Sequence, residues 1–500
     1  MWLDYFLDRN QRLGPDETAS VDMRRRLTHR ELNDRSRAMA RSLARAGITP
    51  GERVGMLSRN SVDMFEAYMA ISRAGAIAVP FNFRWTPPEI RYPAEDSDIT
   101  ALLYEPELFE TLGSAFDGMD LKLKVALGSV EHEQLALEHD DEIVLPEGDL
   151  DDPFAILYTS GTTGHPKGSI VRQRALKAQF MGMVDTIRMD RNSRFMQGTP
   201  LFHIGITVAT SFLAAGGSTV FYRDFVPDQV LELMEGERVT HFITAPTVIQ
   251  FLVQGADVRS RDLTSLLEIG YGAAPMRPSV LSRAMEAFGC NFRQVYGLTE
   301  GGGVVTSLDP ADHFDEVLRD TSVGRPLIGF EVGIRDTDDE WMEAADWGEV
   351  CIRGESVMTE YWNKPDATAK AITDGWLRTG DVGWMDDQGY LYLVDRRNDM
   401  LISGGENVYP AEVEMVIDAI DGVEESAVIG VPDERWGEVP IAFVVLEDGV
   451  ELDEAAILEA CSQALARYKV PKQVRFIDEL PKNQLGKILR RELRQQAGVA

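Results

Sequence analysis

The 500-residue sequence has few cysteines and a shortage of positive charge. Cys290, Cys351 and Cys461 are far apart and odd in number, so they can build neither a disulfide framework nor a CxxC-type zinc site. This usage predicts a reducing compartment, and we expect a cytoplasmic protein. Lys and Arg total 50 against 82 Asp and Glu, a formal charge of −32, which excludes nucleic-acid binding through a global basic field.

Export signals, membrane spans and several common enzyme motifs are also missing. The amino terminus carries acids where a secretory signal needs basic residues. The longest uncharged window, residues 204–222, is diluted by glycine, serine and threonine and is a poor membrane span, so no integral membrane segment is expected. HExxH, GxSxG and GxGxxG patterns are absent. Metalloprotease, serine-hydrolase and dinucleotide-binding functions therefore lose their usual sequence support.

The apolar pattern predicts an α/β protein of more than one domain. In residues 27–103 helical patterns alternate with short apolar runs, which indicates βαβ layering. Pro93 falls inside a helical pattern over residues 88–97 and is expected to break or kink that helix. A second unit, small and α+β, is predicted to begin near residue 395. Its tail, residues 462–500, holds nine Lys or Arg and three Asp or Glu, which suits either a surface helix or an anionic substrate.

The sequence YTSGTTGHPKG, at residues 158–168, has the composition of a polyphosphate-binding loop. Its glycines let backbone N–H groups approach phosphate oxygens, its hydroxyls donate hydrogen bonds, and Lys167 supplies a positive charge. It is not a Walker A loop, because Pro166 precedes the lysine and Gly168 follows it. A generic Gly/Thr stretch would be a surface loop, but eleven residues in this order favour phosphate binding.

This loop resembles the phosphate loop of the adenylate-forming superfamily of acyl-CoA synthetases, nonribosomal adenylation domains and luciferases. Further motifs in the family's order extend the resemblance over nearly the whole chain and place it closest to the acyl-CoA and aryl-CoA ligases: PLFHIG at 200–205, GYGAAPM at 270–276, YGLTE at 296–300, WLRTGD at 376–381, DRRND then SGGENVYPAEVE at 395–414, and PKNQLGKILRREL at 481–493. The resemblance implies a large multi-subdomain N-terminal domain of layered sheets and helices over residues 1–394, a hinge at 395–398, and a small mobile α+β C-terminal domain over 399–500.

The resemblance also implies a nucleotide site. Tyr296 would pack on adenine, Asp381 would accept hydrogen bonds from ribose hydroxyls, and Arg396 would contact ribose and phosphate. Glu300 and Thr162 would hold Mg²⁺, for which a carboxylate is a suitable hard ligand. The full set implied for ATP and AMP is Thr159, Ser160, Gly161, Thr163, Gly164, Lys167, Gly272, Ala273, Ala274, Gln294, Tyr296, Gly297, Thr299, Asp381 and Arg396.

Catalytic, CoA and hinge positions follow from the same resemblance. Lys487 matches the family's catalytic lysine for adenylation, with Thr162 and Glu300 beside it in the catalytic set. His203 is placed at the mouth of the acid pocket, where it would gate or position the carboxylate, although a histidine among apolar residues is more often structural. CoA would be bound by Gly404, Gly405, Trp436, Tyr468 and Lys472, any of which could instead serve domain packing. Asn398 stands at the hinge, where the family usually has Asp or Lys.

The reaction implied is an ATP-dependent ligation of a carboxylic acid to CoA, with Mg²⁺ as cofactor. Acyl-AMP and pyrophosphate would form first, then acyl-CoA and AMP. The segments expected around the acid, residues 180–183, 203–207, 245, 271–273 and 297–304, are mostly apolar and offer no obvious Asp for an ammonium group, which favours an aliphatic or aryl acid over an amino acid. A carrier protein as acceptor, a non-catalytic nucleotide-binding regulator, and a homodimeric assembly stay open.

Overall fold

The structure is a computed structural model. It describes residues 2–138, 142–159, 165–255, 257–274, 276, 278–336, 339–344, 348–396, 401–408, 410–447, 449–450, 452–481, 488 and 490–499. The chain divides into two compact units. The first comprises Met1–Phe83, Ala94–Tyr158 and Gly168–Asp395, and the second comprises Arg84–Pro93, Thr159–Lys167 and Arg396–Ala500.

Helices and strands alternate along most of the chain. The helices are α1 (Trp2–Leu13), α2 (His29–Arg45), α3 (Val62–Arg73), α4 (Pro87–Asp96), α5 (Pro106–Leu112), α6 (Val130–Leu137), α7 (Gln173–Thr186), α8 (Gly205–Ala215), α9 (Pro227–Gly236), α10 (Pro246–Gly255), α11 (Pro278–Phe288), α12 (Glu316–Thr321), α13 (Pro365–Ala371), α14 (Pro410–Asp418), α15 (Glu454–Ala464) and α16 (Arg490–Gln496).

The strands of the first unit precede those of the second. They are β1 (Thr18–Val21), β2 (Arg26–Thr28), β3 (Arg53–Leu57), β4 (Ile77–Pro80), β5 (Ile99–Tyr104), β6 (Leu123–Ala126), β7 (Pro153–Thr159), β8 (Lys167–Arg172), β9 (Arg194–Gln197), β10 (Ser218–Phe221), β11 (His241–Thr244), β12 (Glu268–Gly272), β13 (Asn291–Leu298), β14 (Gly303–Leu308), β15 (Arg325–Pro326), β16 (Phe330–Arg335), β17 (Gly348–Gly354), β18 (Ile372–Thr373), β19 (Trp376–Met385), β20 (Leu391–Arg396), β21 (Leu401–Ser403), β22 (Glu406–Val408), β23 (Val423–Asp433), β24 (Gly437–Leu446) and β25 (Gln473–Phe476).

Two large sheets form the body of the first unit. One has the strand order β15-β14-β13-β12-β11-β9-β10-β1-β2, and the run from β13 to β1 is parallel throughout. The other has the order β6-β5-β3-β4-β7-β8, and its strands β3 to β7 are also parallel. Parallel strands joined through helices are the α/β class predicted from the apolar pattern, and that prediction is confirmed.

A third sheet completes the first unit, and the second unit has a sheet of its own. In the third sheet β17 lies between β16 and β19, with antiparallel pairing on both sides. In the second unit β21, β22, β23 and β24 pair antiparallel, and β25 joins β24 in parallel. Leu401, Val413 and Ile457 belong to an apolar core on this sheet. The small α+β unit predicted near the carboxyl end is therefore present in the described residues.

Helix α4 runs without interruption from Pro87 to Asp96, so the break expected at Pro93 does not occur. A proline inside a helix removes one backbone hydrogen bond and costs about 3 kcal/mol. The first turn is fixed because Glu89 Oε2 accepts from both the backbone N–H and the hydroxyl of Thr86, at 2.8 and 2.9 Å. Ile90 and Ala94 on the same helix are fully buried. These contacts offset the missing bond.

No helix within the described ranges has both the length and the apolar character needed to cross a bilayer.

Candidate active site

Two of the predicted nucleotide motifs lie at the carboxyl ends of neighbouring parallel strands. GYGAAPM continues from β12 and YGLTE begins within β13, and the strands pair with Gly272 opposite Val295. Just beyond β12, Ala273 has a φ of 66°, in the left-handed region that costs a residue with a Cβ free energy. The predicted adenine-site residues Gly272, Ala273, Gln294, Tyr296 and Gly297 therefore lie on adjoining strand ends, where α/β folds commonly bind ligands.

Tyr296 and Asp381, predicted separately, are joined in the structure. The Tyr296 hydroxyl donates a hydrogen bond to Asp381 Oδ2 at 2.6 Å, and both residues are buried. Tyr296 is on β13 and Asp381 is on β19, so two different sheets contribute. A buried carboxylate held by a phenol keeps further acceptor sites for the hydroxyls of a sugar.

Glu300 lies in a short 3₁₀ turn, Thr299–Gly301, which follows β13 directly. Its Oε1 accepts a hydrogen bond from the Tyr361 hydroxyl at 3.0 Å, and its backbone carbonyl accepts from the N–H of Met358 at 2.8 Å. A half-buried carboxylate with a fixed orientation is a suitable ligand for Mg²⁺, which binds proteins through few carboxylates and keeps several waters. Glu300 thus fits the metal role, and Thr162, the other predicted ligand, lies outside the described residues.

The strands on both sides of the predicted phosphate loop are held by contacts that the sequence did not reveal. Asp96 accepts from the Tyr158 hydroxyl at 2.7 Å through Oδ2 and from Lys364 Nζ at 2.9 Å through Oδ1. The backbone N–H of Trp362 donates to the carbonyl of Gly168 at 2.7 Å. A Cβ at Gly168 would come within 2.5 Å of the Ile156 side chain, so close packing requires the glycine.

Several predicted residues fall at or beyond the edge of what the structure describes. Thr159 ends β7 and Lys167 begins β8, with Thr159 Oγ1 at 3.5 Å from the Lys167 carbonyl oxygen. Arg396 ends β20, and its side chain is outside the description. The other predicted residues outside the described ranges are Ser160, Gly161, Thr162, Thr163, Gly164, Asn398 and Lys487.

His203 precedes helix α8 and is half-buried among aromatic residues. Its ring centroid lies 4.6 Å from that of Phe202, which makes an edge-to-face contact with Phe83 at 5.4 Å. This surrounding is compatible with both interpretations of the histidine, a structural residue or a residue that positions the acid.

Two of the residues predicted to bind CoA meet in the second unit. Gly404 and Gly405, with φ of 62° and 85°, form the turn between β21 and β22. The Gly404 N–H donates to the Trp436 carbonyl at 2.8 Å, and a Cβ at Gly404 would lie 2.8 Å from the Trp436 ring. Tyr468 and Lys472 lie in the connection between α15 and β25, where Lys472 is exposed and burial raises the pKa of Tyr468.

A separate cluster of Asp63, Glu66 and His132 has side-chain atoms close enough to hold a metal ion. Two arginines already neutralise its carboxylates. Arg25 contacts Asp63 at 2.5 Å, and Arg35 Nε contacts Glu66 at 2.7 Å. This charge balance indicates a structural ion-pair network.

Sequence reasoning missed Asp96, Glu349 and Tyr361, which hold the predicted residues in place. Glu349 gave a usable signal, because this acid directly precedes the apolar residues 350–352 of β17, and the structure buries it there. A buried carboxylate needs a specific partner, so such an acid marks a position worth pairing.

The described residues bring several of the predicted nucleotide and metal residues together at the carboxyl ends of parallel strands. Comparison with known proteins identifies the class. Residues 7–362 match the profile of the AMP-binding enzyme family, and residues 412–487 match the AMP-binding enzyme C-terminal domain. The chain belongs to this family.

Three similar proteins illustrate the family. Feruloyl-CoA synthase from an Amycolatopsis species is 38 % identical over 492 residues, which cover 98 % of each chain. A fatty acid–[acyl-carrier-protein] ligase from Streptomyces coeruleorubidus is 35 % identical over 475 residues, covering 94 % of this chain and 91 % of that one. The structure of o-succinylbenzoate CoA synthetase from Bacillus subtilis superposes with a TM-score of 0.89 at 29 % identity and 98 % coverage of both chains.

These findings confirm the resemblance stated from the motifs. The chain is an adenylate-forming CoA ligase that uses a small-molecule acid, ATP, Mg²⁺ and CoA. The non-catalytic regulator that the sequence left open is thereby set aside.

Proposed function

We propose that the paired side chains Tyr296–Asp381 and Tyr361–Glu300 form the ATP site in which an aliphatic or aryl acid is converted to its acyl-AMP. The observation that carries this proposal is that one member of each pair, Tyr296 or Glu300, lies within or directly after β13, beside the end of β12. Asp381 would take the ribose hydroxyls, and Glu300 would hold Mg²⁺ against phosphate oxygens.

The chemistry proposed for this site is an attack of the acid's carboxylate oxygen on the α-phosphorus of ATP. The new O–P bond forms as the bond to pyrophosphate breaks, so no proton has to be moved in this step. Negative charge builds on the phosphate oxygens in the transition state, and hydrogen-bond donors and cations held in fixed positions stabilise that charge. We assign this task to Lys487, Lys167 and the hydroxyls of the loop at 159–163, as the family resemblance implies.

In the second step, the CoA thiolate would attack the acyl carbon, and the C–O bond to AMP would break. Gly404 and Gly405 suit the passage of a narrow pantetheine arm, because both have a positive φ and a Cβ at Gly404 would lie against the Trp436 ring. We propose that residues 399–500 rotate about the hinge at 395–398 between the two steps, with Asn398 as its pivot. His203 would position the acid's carboxylate, which is already ionised at pH 7.

The test measures AMP, ADP and pyrophosphate released by the purified chain with MgATP and a panel of aliphatic, aryl and amino acids, each with and without CoA. AMP release that depends on an aliphatic or aryl acid and rises with CoA supports the proposal. ADP as product, or activity confined to amino acids, would contradict it. Pyrophosphate exchange without CoA turnover would favour a carrier protein's phosphopantetheine as acceptor.

The assignment of Lys487 has a test of its own. Lys487→Ala should nearly abolish acyl-AMP formation and leave thioester formation from supplied acyl-AMP largely intact, because the lysine acts only in the first step. Equal loss in both half-reactions would contradict the separation of roles.

Two further proposals concern the setting of the enzyme. The free cysteines Cys290, Cys351 and Cys461 are buried or half-buried, and a cytoplasmic location agrees with their reduced state. Cell fractionation would check this location. A homodimer stays a prediction from the sequence, which light scattering on the purified chain would test.

A further inference from the structure

Strand β19 bulges at the point where it carries Asp381. Its pairing with β17 moves from Cys351 opposite Arg378 to Glu349 opposite Val382. Three residues of β19 therefore face a single residue of β17. In such a bulge the ladder hydrogen bonds are interrupted and a side chain is aimed in a new direction. The conformation of this bulge accordingly decides where the Asp381 carboxylate lies.

Glu349, on the neighbouring strand β17, hydrogen-bonds to the bulge of β19 through both of its carboxylate oxygens. Oε1 accepts the backbone N–H of Gly380 at 3.2 Å, and Gly380 has a φ of 76°, which suits glycine. Oε2 accepts from Arg378 Nε at 2.9 Å and from Arg378 Nη2 at 2.6 Å. Glu349 is buried, and a buried carboxylate satisfied in this way is costly to disturb.

The rest of the bulge transmits this constraint to Asp381. The Thr379 hydroxyl donates to the Val350 carbonyl at 2.8 Å and accepts the Asp381 N–H at 3.1 Å. The Asp381 carboxylate is then held by Tyr296. Glu349 therefore contacts the backbone of Gly380, the residue directly before Asp381, as well as the side chain of Arg378.

A second Glu–Arg pair on the same sheet provides a contrast. Glu331 on β16 meets Arg353 on β17 through two hydrogen bonds, at 3.0 and 2.6 Å. That pair is largely exposed; Glu331 hydrogen-bonds to the Arg353 side chain, which also lies over the Trp376 ring at 4.6 Å from its centroid. An ordinary cross-strand ion pair therefore explains Glu331 but leaves the burial of Glu349 and its backbone contact unexplained.

We propose that Glu349 is a positioning residue for nucleotide binding: it fixes the bulge at residues 379–381 and so aims Asp381 at the ribose. The proposal rests on the role proposed above for Asp381. It extends the site to a residue that contacts no substrate, and it predicts an effect specific to the ribose hydroxyls.

The experiment compares the binding of ATP and of 2′,3′-dideoxyATP to the full chain by calorimetry, without acid so that no turnover occurs. Glu349→Gln keeps the size of the side chain but has one acceptor oxygen for the two sets of donors. We expect it to weaken ATP binding about tenfold, the loss of roughly one charge-assisted hydrogen bond, and to leave dideoxyATP binding unchanged. Glu331→Gln, the matched control, should bind both nucleotides as the wild type does.

The Asp381→Asn background completes the test. There, adding Glu349→Gln should weaken ATP binding no further, because both changes act on the same hydroxyl contacts. If Glu349→Gln fails to fold, Glu349→Asp, which keeps the charge but shortens the reach, should give the same ribose-specific loss.

Each other result is decisive. Equal weakening of both nucleotides, or no weakening, in Glu349→Gln would overturn the positioning role. A wild-type chain that binds ATP and dideoxyATP equally would instead overturn the role of Asp381 itself.

Discussion

The hydrogen bond from Tyr361 to Glu300 gives a direct test of the proposed metal site. Tyr361→Phe removes only the hydroxyl that donates to Glu300 Oε1 at 3.0 Å, and the ring stays in the core, where Tyr361 is 9 % exposed. Residues that orient a metal ligand typically contribute about 10–100-fold to metal affinity. Glu300 is half-buried, so water can replace part of the lost bond, and we expect the lower end, about tenfold weaker binding.

The assay uses Mn²⁺ as a paramagnetic probe of the same site. Free Mn²⁺ is titrated by electron paramagnetic resonance in the presence of an ATP analogue that cannot be cleaved between the α- and β-phosphates. In parallel, AMP release is measured as a function of Mg²⁺ concentration. The variant should need about ten times more metal in both experiments, with AMP release approaching the wild-type rate at saturating Mg²⁺.

Tyr392→Phe is the matched control for this prediction. Its hydroxyl also donates to a carboxylate at 3.0 Å, that of Asp386, and Tyr392 is likewise 9 % exposed. The two variants remove the same group from the same kind of surrounding. Identical metal dependence in both, or a loss in Tyr361→Phe that no amount of Mg²⁺ restores, would refute the reasoning.

Two predictions concern the stability of the fold and rest on the buried side chains of Lys469 and His241. Lys469 is buried, and its Nζ lies 2.8 Å from a carboxylate oxygen of Glu89 and 2.6 Å from one of Glu412. Lys469→Met should therefore lower the free energy of unfolding by about 3–5 kcal/mol in urea titrations, because it leaves two buried carboxylates without their partner. A loss below about 1 kcal/mol would contradict this prediction. Burial lowers the pKa of His241 to about 4, so between about pH 6.5 and pH 4 this histidine is protonated in the unfolded chain and neutral in the folded chain. Stability should therefore fall as the pH drops from about 6.5 toward 4, and His241→Gln should flatten this part of the melting-temperature profile.

The class of the fold could be predicted because its signals are local: the βαβ layering shows in apolar runs a few residues long. The signal for the candidate phosphate loop is local too, in eleven consecutive residues, and its role stays a prediction. Pro93 shows the limit of local reasoning, since helix α4 continues through it on the strength of packing and of the Thr86–Glu89 contacts.

The residues that hold the site could not be predicted because their partners are distant in sequence. Tyr361 is 61 residues from Glu300, and Glu349 is 31 residues from Gly380. Each pairing depends on how segments distant in sequence are brought together by the fold, and nothing in either residue's own neighbourhood specifies that arrangement. The burial of an acid in β17 indicates that a partner exists without indicating which one.

The groups proposed for ATP and metal differ in character from the segments expected around the acid. The described groups proposed to touch ATP and metal, Asp381 and Glu300, are each held by a tyrosine, and the bulge that carries Asp381 is held by Glu349. Polar networks that are fully satisfied in a buried place are rigid, and a rigid set of donors and acceptors suits ATP and its metal ion, which are the same whichever acid is used. The segments expected around the acid are instead mostly apolar, and apolar contacts discriminate between acids by size and shape. Changes in the holding residues should therefore alter the use of ATP and metal while the preference among acids is kept.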